Sequence, residues 1–202
     1  MRGVQLPRGR SARSPSWPCR CVVSLLVALV LLLAPAVASA ATGFTEQIAS
    51  ARWLTPFQCP DGSTAADGRM IVETDNFIEA GTTPDPNPPL RVGFVGQCPD
   101  GTFSWGFVQP APTQFDTDLK NVSVSGTFAN VRDNRGGLHT VSVDARWTGT
   151  GPIMTTVNGP GSMTKERSAT ATATIVFDGN TLVNGDSNFP FPAPFIRVDI
   201  EK

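Results

Sequence analysis

The sequence predicts an all-β protein: an antiparallel meander of about eight strands, closed into a barrel or folded into a two-sheet sandwich. Three observations predict it. Beyond position 40 the apolar residues alternate with period two, and no window keeps an i, i+3, i+4, i+7 stripe for three turns. Turn formers interrupt the chain often (19 glycines and 18 prolines in 202 residues), so the strands are short and tightly joined. One phrase also occurs twice, Gln58-Cys59-Pro60-Asp61-Gly62 and Gln97-Cys98-Pro99-Asp100-Gly101. Each copy reads as a strand end, a cysteine and a turn. Proline presets φ at the first corner, aspartate bonds its own backbone, and glycine accepts φ > 0.

Residues 1–40 read as a secretory signal peptide. Five arginines and no acid lie in residues 1–20, an apolar run follows from Val22 to Ala34, and Ala38-Ser39-Ala40 forms a small-x-small cleavage site. An uncleaved anchor is the alternative, since Cys21 to Ala41 is just long enough to span a bilayer. Residues 41–202 then form one β domain with no membrane span. Without the leader, eleven Lys and Arg face seventeen Asp and Glu, a net charge of −6. That acidity excludes the basic footprint of a nucleic-acid binder. It also argues against adsorption to anionic lipid. Cys59 and Cys98 are the cysteines left in the exported chain, and an oxidising compartment predicts a disulfide between them.

The strands are expected at 45–55, 69–79, 90–98, 102–109, 119–131, 138–148, 165–177 and 195–201. On the first, Ala49, Ala51 and Trp53 share a face. The second turns Met70, Val72 and Thr74 one way and Arg69, Glu73 and Asp75 the other, with Ile71 and Phe77 on the charged side. The third and fourth, carrying Val92, Phe94 and Cys98, then Phe103, Trp105 and Phe107, form a hairpin through the second Pro-Asp-Gly turn. Val122, Val124 and Phe128 mark the fifth strand, and Val141, Val143, Ala145 and Trp147 the sixth. The seventh sets Ala169, Ala171, Ala173 and Ile175 against a threonine face, so a bulky neighbour such as Trp147 must fill the space above the alanines. Ile196, Val198 and Ile200 mark the last strand. Residues 82–89, 110–117, 149–163 and 178–194 read as loops, 149–163 with a twisted hairpin end as an option. Hairpin connections favour a barrel in which the last strand pairs with the first. Both cysteines then lie at one end of the sheet. Strands two places apart are too distant to bridge, so either the two turns lean together over the end of the second strand, which is the expectation, or the strands belong to facing sheets.

Chemistry-bearing residues are few. His139 is the single histidine, on the face of Val141 and Val143, and is the candidate general base of a hydrolase. No nucleophile elbow, phosphate loop or zinc spacing is present, so no catalytic, cofactor or metal residue is assigned. Glu73/Asp75 and Asp116/Asp118 are the carboxylate pairs a glycosidase or a calcium site would need, at a spacing that also suits a solvated strand face. Asn121-Val122-Ser123 matches a glycosylation acceptor. The candidate ligand or partner contacts are Trp53, Trp105 and Trp147, which also suit a core, and Phe189 and Phe191, set among prolines where no ladder can form.

The expected architecture resembles the eight-stranded meander barrels of lipocalins and avidins. Ala51-Arg52-Trp53 stands where lipocalins carry Gly-x-Trp, without the glycine, and their function is not carried across. The functional expectation is a secreted, non-enzymatic module binding a small ligand or a protein partner. The alternatives are a surface-interaction protein without a small-molecule site and a hydrolase using His139 or a carboxylate pair.

Overall fold

The computed structural model describes residues 43–202; the leader expected over 1–40 lies outside them. Those residues form eleven strands and no helix. A first meander runs through β1 (Phe44–Gln58), β2 (Thr64–Glu79), β3 (Pro89–Cys98) and β4 (Gly101–Pro110), each paired antiparallel with the next. The chain then crosses through β5 (Thr113–Phe115) into β6 (Asn121–Arg132) and β7 (Leu138–Gly149). β8 (Met154–Gly159), β9 (Ser162–Phe177), β10 (Asn180–Asp186) and β11 (Phe195–Glu201) complete it.

β9 joins the two halves. Its first part pairs with β8 and β11, and its second part with β7 and β10. β11 in turn pairs with β1, from Phe44↔Glu201 to Ser50↔Phe195. The last strand therefore meets the first, as expected.

The barrel expectation is corrected, because the hydrogen-bonded path ends at β4 and β5 without closing. The cause is local. β5 covers the free edge of β6 from Val122 to Val124, and Pro110 and Pro112 flank the crossing with no N–H to offer a ladder. One isolated bridge, Trp105↔Asp133, spans the opening. The body is a sandwich-like meander whose halves meet face to face, with Trp105 stacked on Phe177 at 5.2 Å and Phe107 tilted against Phe128 at 4.5 Å.

The strand count is also corrected, from about eight to eleven. The additional strands are those that bury almost nothing. Met154–Gly159 has no buried residue, Asn180–Asp186 buries only Val183, and Thr113–Phe115 is three residues long. Without a core face there is no alternation to read.

The expected core faces are those observed. Ala49, Ala51, Trp53, Met70, Val72, Phe94, Val143, Trp147 and Ile175 are all buried. Trp147 lies directly opposite Ala171 on the neighbouring strand, so the large ring occupies the space the alanines leave. Pairing of β2 with β3 stops at Arg69↔Val95, so the tip of the β1–β2 hairpin is free to fold across β3. The buried Phe57 ring sits on Gly96, where a Cβ would overlap it. This fold-over brings Cys59 to Cys98, with Cα atoms 5.9 Å apart.

Candidate functional site

Among the described residues, two constellations outside the core bear on function: a series of links across the hairpin tips at one end, and a trough on the outer face of the first meander.

The links begin at the Cys59–Cys98 disulfide, which ties the β1–β2 tip to the β3–β4 tip. Asp100 in the second tip then takes Arg135 in a bidentate pair, with Nη1 and Nη2 donating at 2.5 and 2.8 Å. Arg135 belongs to the β6–β7 turn, which the Asp133 carboxylate closes by accepting the Arg135 and Gly137 amides at 2.8 and 2.7 Å. The other oxygen of Asp133 lies 3.0 Å from His139 Nε2. His139 Nδ1 lies 2.7 Å from Asp178, in the β9–β10 turn, and Asp178 also accepts the Thr140 amide at 2.8 Å. Asp178 adopts φ 47°, a left-handed conformation that aspartate tolerates in a tight turn. The imidazole rests against Phe177, with ring centroids 4.4 Å apart.

The charges follow from these contacts. Burial opposes the imidazolium, yet hydrogen bonds to Asp133 and Asp178 outweigh it and raise the His139 pKa above its ordinary value. Burial likewise opposes the Asp133 and Asp178 carboxylates, but His139 and the turn amides hold both below the usual range. The Arg135 hydrogen bonds do the same for Asp100. Two carboxylates facing both ring nitrogens favour the charged, doubly donating form, which clasps the two turns together while it is protonated.

The trough has a different origin. Cross-strand register places Arg52, Ile71, Gly93 and Gly106 in one row on the outer face of β1 to β4. Two adjacent glycines leave a depression there, since no side chain rises from β3 or β4 at that level. At Gly93 a Cβ would stand 3.2 Å from the Ile71 side chain, so the space beside Ile71 depends on the glycine. Leu54, Arg69 and Val95 form the neighbouring row. The remaining wall arrives from far along the chain. Asn188 accepts the Leu54 amide at 2.7 Å and donates to the Leu54 carbonyl at 3.0 Å, standing in for a strand partner. Ser187 Oγ donates to the Arg52 carbonyl at 2.5 Å. These anchors set the half-buried Phe189 beside the glycine row. Arg52, Arg69, Ile71, Gly93, Val95 and Phe189 line a cleft of about 380 Å³. Pockets of this size hold small ligands.

Of the sequence-predicted contacts, Trp105 and Phe189 both line the trough cleft, and Trp53 and Trp147 do not. Trp53, Trp105 and Trp147 are 2 %, 4 % and 0 % exposed, with their rings in the core. Trp53 donates to the Gly185 carbonyl at 3.2 Å. Phe189 lines the trough, and Phe191 projects at 81 % exposure. Glu73 pairs with Arg91 and Asp118 with Lys120, while Asp116 accepts Asn121; these carboxylates face no common cleft. Among the described residues no group of three or more His, Cys, Asp or Glu is placed to hold a metal ion. Nor is any helix there long and apolar enough to cross a membrane. Arg52, Arg69, Gly93 and Gly106 escaped sequence reasoning, although Ile71 on the charged side of its strand was a sign that this face was not wholly solvated.

Fold and trough together define an all-β body with an open cleft on its outer face. Comparison with protein-family models, with curated proteins and with solved structures found no match.

Proposed function

We propose that this protein is an exported, non-catalytic binding module that holds an apolar group of its ligand in the outer trough. The observation that carries this reading is the cleft of about 380 Å³ over the glycine row, walled by Phe189. Among the described residues, the interior holds the fully buried Trp53, Met70, Trp147 and Ile175 side chains. The histidine version of the hydrolase alternative is less favoured, because both His139 nitrogens are engaged by Asp133 and Asp178. Export is supported by the arginine-rich, apolar leader pattern of residues 1–40 and by the disulfide.

A second reading, a protein partner docked beside the trough, is favoured by Phe191, two residues along the chain from Phe189 and 81 % exposed. Binding of the neutral dye Nile red tests the main reading. One dye per chain should bind, and both Gly93→Leu, which fills the trough, and Phe189→Ala, which removes its wall, should weaken binding at least about tenfold. Unchanged dye affinity in both variants, with urea midpoints like the parent's, refutes the reading.

A further inference from the structure

We infer that the ligand of the trough is a small amphipathic carboxylate, its apolar body over Gly93 against Ile71, Val95 and Phe189, and its carboxylate between Arg52 and Arg69. The inference rests on the binding reading above and adds the chemistry of the ligand.

Arg52 and Arg69 both line the cleft. They are diagonal neighbours on adjacent strands, since Arg52 pairs with Ile71 and Leu54 with Arg69. Diagonal positions on one face lie within reach of each other's long side chains, and like charges so placed repel. Neighbouring cations on this face are neutralised, Arg91 by Glu73 at 3.4 Å and Arg197 by Asp199 at 2.9 Å. Neither Arg52 nor Arg69 enters an ion pair among the described residues. Acids are not scarce: beyond the leader the chain carries seventeen against eleven cations. Glu73 is the other diagonal neighbour of Arg52 but is held by Arg91; two adjacent guanidinium groups in no ion pair, lining an apolar cleft in an acidic protein, are therefore a local excess that an incoming anion would relieve. Guanidinium forks match a carboxylate in geometry and bind it bidentately. The apolar floor excludes a fully hydrated anion and selects one joined to a hydrocarbon or aromatic body.

The discriminating experiment uses dodecanoate and dodecanol, both below their aggregation limits, as competitors of Nile red. Dodecanoate should displace the dye about tenfold more effectively than dodecanol, as expected for a charge-assisted contact at a partly exposed site. Raising the ionic strength should erode that preference without affecting dodecanol. The Arg52→Gln/Arg69→Gln double variant should abolish the preference, each competitor being scored against that variant's own dye affinity, with a urea midpoint like the parent's to show that the fold is intact. Equal displacement by the two competitors, or a preference that survives the double variant, overturns the carboxylate inference and leaves the trough reading standing. Failure of the parent protein to bind the dye or either competitor overturns both.

Discussion

The clasp around His139 yields the most demanding prediction. His139→Gln keeps roughly the side-chain volume against Phe177 but removes the charge shared with Asp133 and Asp178. Hydrogen bonds to charged groups contribute about 1.5–3 kcal/mol each. The Asp178 side chain is 45 % exposed, so solvent screens its share. Asp133 is 7 % exposed and keeps most of its share. The expected loss is about 2–3 kcal/mol, or about 5–10 °C in Tm for a chain of this size. The pH dependence has a defined sign. His139 is raised in the folded state, so its contribution is complete below the unfolded value of about 6.5 and is lost as pH rises through the folded pKa. Asp133 and Asp178 are lowered, so their contributions are present above about 3.8 and are lost as pH falls through their folded values. Urea unfolding of parent and variant from pH 4 to 9 should therefore show the largest stability difference near pH 5–6, narrowing as pH rises. A difference that stays constant from pH 5 to 9, or that is below about 0.5 kcal/mol throughout, would refute the clasp.

Further consequences follow from the same contacts. The Cys59→Ala/Cys98→Ala variant opens a link across 39 residues and should lose about 4 kcal/mol on the chain-entropy account, read from urea midpoints of oxidised parent and variant. Gly96→Ala places a methyl in the Phe57 ring and should cost about 1–3 kcal/mol; Phe57→Leu in the same chain should recover part of it, and additive losses would contradict the fold-over of the hairpin tip. Burial, then the charges of Asp75 and Asp199, raise the Glu46 pKa, which favours its protonated form in the folded state. Glu46→Gln should therefore raise the urea midpoint at pH 7 and lose that advantage as pH falls below the Glu46 pKa.

Much of the fold was legible because burial repeats. Ala49-Ala51-Trp53, Val141-Val143-Ala145-Trp147 and Ala169-Ala171-Ala173-Ile175 each put every second residue in the core, and a two-residue period has one structural solution. The identical Cys-Pro-Asp-Gly phrases likewise carried their turn chemistry locally, and the strand order bent both turns to one end. Strands without a buried face, such as Met154–Gly159, gave no such signal, and prolines beside the short Thr113–Phe115 disguised the crossing.

The sequence by itself determined the all-β class, the inward faces and the pair of cysteines, because each depends on spacing within a few residues. Tertiary structure alone decided three things. It left the ladder open between β4 and β5, it set Asp133 and Asp178 on the two sides of one imidazole, and it aligned Gly93 and Gly106 with Arg52 under Phe189. Each joins residues tens of positions apart, and strand register, which no local pattern encodes, brings them together.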